Sequence, residues 1–556
     1  MERLLATALG EEPADAVFTG CTLFSPFDCS WEETSVAVTN GIVVGTGEYR
    51  GIVEHHLYGA RVVPGLIDAH VHIESSLLVP AEFARAVLPR GTTTVIADPH
   101  EIANVAGREG IGYFLGEASR SALDILLMLP SCVPSTPGDP GGAVLSAADL
   151  RGFLGRDGVL GLGELMNVPG VLSGDMEVRE KLSLCSIRDG HAPGLSGKPL
   201  NAYILSGLQS DHECTTLGEA REKLGKGMFI LIREGSTERN LRDLLPLVTP
   251  VTAPRCSFAT DDRHADLLAG AGHIDDCIRE AAALGLDPDL ALRMATLSPC
   301  ERFSLADRGA VAPGRIADFC VLGAGREFRV EKAFKRGVPV GEIPYRRPEV
   351  LRTPFRCTPP DAASLRIQGS GEARVIGLVP GQIATKDLRY PVRGDGIPDP
   401  GRDLLKIVSC DRYGRGGVGV GLVHGFGLAE GAIASSVSHD AHNVIAMGAS
   451  DPDILRATRE VISRDGGMVA VSGERVSALP LECAGIMSAE PYEAVAKQLG
   501  RLEEEARSLG GIPGSFMYLS FLALPVIPEL RITPRGLFDA VAFRHVPLFT
   551  GEDMTG

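Results

Sequence analysis

Residues 62–76 read Val-Val-Pro-Gly-Leu-Ile-Asp-Ala-His-Val-His-Ile-Glu-Ser-Ser, and no other stretch limits the possible folds as tightly. On a β-strand alternate side chains project to one side, so His70 and His72 point together while Val71 packs the opposite way. Two imidazoles on one side can meet one metal ion. The apolar residues around Pro64-Gly65 suit a buried strand, and Glu74-Ser75-Ser76 suits the loop that leaves it. Chemistry is therefore expected at the C-terminal end of this strand. A lone His-x-His pair is also common in cores and on surfaces, so a metal reading needs partners elsewhere in the chain.

The neighbouring sequence shows where such partners lie. From Ala14 to about Leu57 the runs are short and β-type, and Asn40-Gly41 between two of them is a hairpin signal, because both residues tolerate positive φ. After the His-x-His strand the texture becomes strand and helix in turn. Pro80 to Leu88 predicts a helix opening on proline, and Thr92 to Ala97 a β-branched strand ending in Asp98-Pro-His-Glu101. Further apolar runs follow at Ile125–Leu129, Val159–Gly163, Met228–Ile232 and Cys256–Ala259, with short polar strand ends at Gly190-His191 and Ser210-Asp-His-Glu213. Thr216-Leu-Gly-Glu219 predicts a capping box that opens a helix running to about Leu224. About eight strands alternating with helices predict an α/β fold, a (β/α)8 TIM-like barrel whose active site sits at the strands' C-terminal ends.

The β-type texture returns at Gly309 to Leu322, which predicts one small β-domain built from both flanks of the barrel. A Pro- and Arg-rich stretch from Ile343 to Pro360 reads as a linker, and a C-terminal α+β domain is expected beyond it. The expected division is 1–60 and 306–350 for the small β-domain, 61–305 for the barrel and 351–556 for the C-terminal domain.

With 71 Asp and Glu against 54 Lys and Arg the net charge is -17, which argues against a nucleic-acid or anionic-membrane binder and favours a small-molecule substrate. No stretch is long and apolar enough to span a bilayer, and the N-terminus lacks a signal-peptide pattern, so a cytoplasmic protein is expected. The 12 cysteines include no Cys-x-x-Cys, so neither a zinc ribbon nor a redox pair is indicated. The Gly414–Gly427 patch lacks the Gly-x-Gly-x-x-Gly spacing and reads as glycine-rich strands.

The polar strand ends form one donor set: His70, His72, Glu164, His191, His212 and Asp261. Four imidazoles and two carboxylates suit two divalent first-row metal ions, with a carboxylate shared between them. Paired cations make hydroxide from water near neutral pH, and Asp261 beside it can take up and pass on a proton. His264 is as well suited to a loop or helix cap as to a ligand.

These residues, with Pro64–Ser76, Asp98-Pro-His-Glu-Ile-Ala-Asn104, Gly163-Glu-Leu-Met-Asn167, Gly190-His-Ala-Pro-Gly194, Thr260-Asp-Asp262 and Ser435–Asn443, resemble the adenine deaminases of the amidohydrolase superfamily over nearly the whole chain. Many superfamily members carry a carbamylated lysine at the bridging position, where this chain has Glu164. The resemblance implies hydrolysis of adenine to hypoxanthine and ammonia in purine salvage, and a homo-oligomer. It also implies a binuclear Mn or Fe site, with Zn as an alternative. Substrate contacts are sought among Glu74, Asp98, His100 and Glu101. Glu213 and Glu234 are candidate catalytic carboxyls, each able to donate to a ring nitrogen if a dry pocket keeps it protonated. His439 and His442 either close over the pocket or stabilise a domain interface.

The other nucleobase-deaminase design pairs His-x-Glu with Pro-Cys-x-x-Cys. His72-Ile-Glu74 supplies the first half, but Pro299-Cys300 is followed by Glu-Arg-Phe303, so that design is excluded. A hydrolase of the same scaffold acting on another heterocycle or cyclic amide remains the alternative, and a non-catalytic metal-binding protein is the alternative from a different class.

Overall fold

The computed structural model describes residues 1–136, 139, 141–325, 327–393 and 396–551. Eight parallel strands carry the centre of the molecule: Leu66–Val71 (β1), Thr92–Ala97 (β2), Asp124–Leu129 (β3), Val159–Leu165 (β4), Arg188–Gly190 (β5), Ser210–Asp211 (β6), Phe229–Arg233 (β7) and Cys256–Ala259 (β8). Strands β1 to β5 form one sheet in chain order and β6 to β8 a second. A parallel bridge between Val71 and Asp261 joins the first strand to the end of the last. At the other seam the Ser210 hydroxyl donates to Asp189, and a Cβ on Gly190 would lie 2.2 Å from the Ser210 carbonyl oxygen. Only glycine allows β5 and β6 to approach so closely. Strands β1 and β2 are buried along their whole length, as expected of parallel strands covered on both faces.

The small β-sheet draws on both flanks of this barrel. Arg61–Pro64 pairs in parallel with Ala14–Ser25 and antiparallel with Phe319–Leu322, so segments more than 250 residues apart lie side by side. Asn40 and Gly41, with φ of 52° and 74°, turn the hairpin between Ser30–Thr39 and Ile42–Thr46. Both central residues therefore have the positive φ of a type I′ turn. The expected linker, 343–360, contains no regular secondary structure.

Beyond it an eight-stranded, mostly antiparallel sheet carries the helices Asp451–Ile462 and Tyr492–Ser508. This unit shares its hydrophobic core with the barrel. Val71, Leu77, Leu78 and Phe83 belong to the same buried cluster as Ile376, Leu405, Phe426 and Leu519. Among the described residues no helix is long and apolar enough to cross a membrane.

Candidate active site

His70 and His72 leave the end of β1 as the alternation requires, with their Nε2 atoms 3.1 Å apart. Each ring is turned by a bond at its other nitrogen: His70 Nδ1 donates to Asp189 Oδ2 (2.9 Å) and His72 Nδ1 to the Asp98 carbonyl (2.9 Å). Those bonds place the Nε2 lone pairs toward one point. Asp261 Oδ1 lies 3.1 Å from His72 Nε2 and 3.4 Å from His70 Nε2.

Glu164, at the end of β4, faces both halves of the donor set. Its Oε1 is 3.3 Å from His72 Nε2, while Oε2 is 2.7 Å from His191 Nδ1 and 3.1 Å from His212 Nε2. All six side chains are buried, and three overlapping triads drawn from them bring their donor atoms within 4.8 Å of one another. Converging imidazole lone pairs and buried carboxylates repel one another unless cations lie among them. The donor set therefore fits a pair of divalent ions.

The field of the site points the same way. Burial alone would lower the His70 pKa, but its bonds to Asp189 and Asp261 outweigh that and raise it to about 10. Burial pushes the Glu164 and Asp261 carboxyls up, yet the surrounding histidines, and for Asp261 also Arg233, hold them well below the usual range. Both carboxyls therefore stay ionised, as metal donors must be.

The other candidates divide into two groups. His100, Glu101 and Glu213 line the cavity together with every member of the donor set except His70, and the space left among them is only about 20 Å³. The condition that would keep Glu213 protonated, a dry pocket without a counter-charge, is not met: Arg233 Nη1 donates to its Oε1 (2.6 Å) as well as to Asp261 Oδ2 (3.0 Å). Glu234, Glu74 and Asp98 are not brought to the cavity wall. Strand alternation that turns Arg233 inward turns Glu234 away, toward Arg239 at 3.8 Å, although burial raises its pKa to about 7. Glu74 Oε1 accepts from the backbone N–H of Ile102 (3.0 Å), in the first turn of the helix His100–Arg120. Asp98 Oδ2 accepts from the Glu164 N–H (2.8 Å), and a Cβ on Gly163 would lie 2.1 Å from that oxygen. Each of these carboxylates anchors backbone through one oxygen, and Asp98 Oδ1 also lies 3.7 Å from His100 Nδ1, in a donor triad with Glu164. His264 is the N-cap residue of the helix Ala265–Gly270, and burial lowers its pKa to about 4.

The C-terminal unit reaches the site. His439 Nδ1 and His442 Nε2 bond the two oxygens of Glu101, and Asp440 Oδ1 lies 3.6 Å from His100 Nε2. Ile383, Phe521 and Leu524 complete the wall. Asp189, Arg233 and these apolar residues are not among the candidates the sequence offers, whereas Asp440 lies within the Ser435–Asn443 motif. An aspartate placed two residues before His191, and an arginine ending an otherwise apolar strand, were the signals available for the first two.

The expected fold meets matching relatives. The amidohydrolase family matches residues 61–340, and the adenine deaminase C-terminal domain matches residues 382–544. An adenine deaminase of Methanoregula boonei is 61% identical over 98% of this chain and 98% of its own. The chain belongs to the adenine deaminase family. A second member, from Methanoculleus marisnigri, is 64% identical over 92% of this chain and 99% of its own. A crystal structure of an adenine deaminase aligns with 59% of this chain and 99% of its own at 16% identity, with a TM-score of 0.44.

Proposed function

We infer that this protein hydrolyses adenine to hypoxanthine and ammonia. The observation that carries the reading is 61% identity over 98% of the chain to a relative named adenine deaminase. The buried donor set supports it, since all six donor residues expected of a binuclear hydrolase are present. His70, His72 and Asp261 would hold one cation and His191 and His212 the other, with Glu164 shared. Such cations supply acidification of water, so that a hydroxide nucleophile forms near neutral pH. We take them to be Mn or Fe, with Zn as the alternative.

The chain's own groups account for the proton traffic. Water adds its oxygen to C6 and a proton passes to N1. The C6–N bond then breaks, and the amine leaves as ammonia after gaining a proton. Asp261 is suited to carry that proton, because Arg233 engages its Oδ2 and leaves Oδ1 facing the histidines. His100 and Glu101, on the cavity wall, are the substrate contacts we favour from the barrel. On the family likeness we assign the protein to purine salvage as a cytoplasmic homo-oligomer.

Ammonia release by the metal-reconstituted protein, measured on adenine beside adenosine, cytosine, guanine and a cyclic ureide, tests the assignment. Release from adenine alone is expected. Turnover of another ring with none of adenine would overturn it.

A further inference from the structure

The loop Ser438–Asn443 lies between the strands Ala432–Ser435 and Val444–Gly448 of the C-terminal unit and delivers His439 and Asp440 to the cavity wall. Each residue is 2% exposed. The His439 ring is doubly fixed: Nδ1 bonds Glu101, and its face stacks on Phe521 with centroids 4.9 Å apart and planes 22° off parallel. Its Nε2, across the ring from Glu101, has no hydrogen-bond partner among the described residues, and neither does Asp440 Oδ2. Leaving a buried polar atom without a partner is costly, and more so when it is charged. Native proteins keep such atoms chiefly where something else supplies the partner. Beside this polar pair the wall is apolar, formed by Ile383, Phe521 and Leu524.

We propose that His439 and Asp440 read the purine edge opposite C6, with Asp440 Oδ2 accepting the N9–H and His439 Nε2 donating to N3, while Phe521 and its apolar neighbours form the face beside the ring. This rests on the adenine reading and on the roughly 20 Å³ cavity opening to admit a purine, and it names how the site tells a free base from its 9-substituted forms. N3 is a bare acceptor and N9 carries a hydrogen in the free base, so the edge offers one acceptor and one donor side by side. The imidazole and the carboxylate offer the complementary pair. Burial works against charge on His439, but Glu101 and Asp262 outweigh it and raise its pKa to about 9, which supplies a proton on Nε2. A substituent on N9 removes the N–H and leaves the Asp440 oxygen unpaired. Sites built to hydrogen-bond a group reject analogues lacking it far more strongly than apolar pockets reject an extra methylene. The barrel supplies the reacting centre, and the C-terminal unit supplies this selection.

The test is steady-state kinetics on adenine and 9-methyladenine for the full-length, metal-loaded protein and its D440A and D440N variants, with metal content and thermal unfolding recorded for each. D440A is expected to raise the KM for adenine about tenfold or more, with kcat changed far less, and to shrink the preference for adenine over 9-methyladenine by a similar factor. D440N, whose amide oxygen still accepts, should recover most of the loss. A folded, metal-loaded D440A protein with unchanged KM and preference would overturn the proposal. Direct binding of purine and 9-methylpurine to the wild-type protein, by calorimetry, needs neither a variant nor turnover. Purine is expected to bind at least about tenfold tighter, and equal binding overturns the proposal. Wild-type turnover of adenine tests the underlying assignment separately.

Discussion

Glu164 gives one oxygen to each half of the donor set, and the residues around it explain why that carboxylate stays in place. Asp98 holds its backbone N–H, and Gly163 makes the room for Asp98. His70 depends in the same way on Asp189, which also accepts from Ser210 and faces Arg302. Asp189→Asn should therefore weaken metal retention about 10–100-fold, read by chelator competition. Unchanged retention would mean that the His70 tautomer is fixed some other way. Arg233 is the only cation bonded to both Glu213 and Asp261 among the described residues. Arg233→Met should cost the metal-free protein about 3–5 kcal/mol in denaturant unfolding, because two buried carboxylates lose their counter-charge. The six proposed donors could be picked out of the sequence because each sits at or just beyond a strand end marked by its polar residues. Asp189 and Arg233 were not, because the contacts that give them meaning span 119 and 28 residues of sequence.

At the level of elements, the apolar runs at Thr92–Ala97 and Ile125–Leu129 became strands at those positions, extended by one residue to Asp124 in the second case. β5 and β6 span only three and two residues, so their polar ends and not their apolar content betrayed them. The predicted capping box is half formed. Thr216 Oγ1 accepts from the Glu219 N–H (3.4 Å), but the Glu219 carboxylate turns to Thr215, Gly194 and Lys223. Tertiary partners won over the local one.

Glu503, on the helix Tyr492–Ser508, accepts from the N–H groups of Ser515 and Phe516 at the start of the helix Ser515–Phe521. Burial, aided by Asp266 and opposed by those bonds, raises its pKa from 4.5 to about 7. A raised carboxyl pKa means that the folded state binds the extra proton, so the stability this group contributes is complete below 4.5 and declines as pH rises through about 7. Relative to Glu503→Gln, the wild-type protein should lose stability between pH 5 and pH 8 in urea unfolding. A difference independent of pH would contradict the linkage.

For the whole molecule, the two large units do not have separate interiors. Leu77, Leu78, Val79 and Phe83 are at most 1% exposed and lie in the core shared with the C-terminal unit. Ser488 bonds the backbone of Leu77 and Val79, and Arg85 meets Glu493. Each such side chain is worth about 1.5–3 kcal/mol when buried, so exposing four of them approaches the total stability of a typical domain. A chain ended at residue 360 should therefore aggregate or lose cooperative unfolding, as read by near-UV circular dichroism and sedimentation. A soluble, cooperative and active fragment would show that the interface is dispensable. The sequence signalled a barrel and a polar cluster at Ser438–Asn443, but not that the cluster meets Glu101, because that meeting depends on packing between segments more than 330 residues apart.

The most direct test of the account is a titration of the metal-free protein with Mn²⁺ while ammonia release from adenine is followed, with Asp261→Asn as control. The two overlapping halves around Glu164 predict that activity rises to a break at two equivalents per chain and is absent in the control. A break at one equivalent, or full turnover without added metal, would contradict the shared-carboxylate centre.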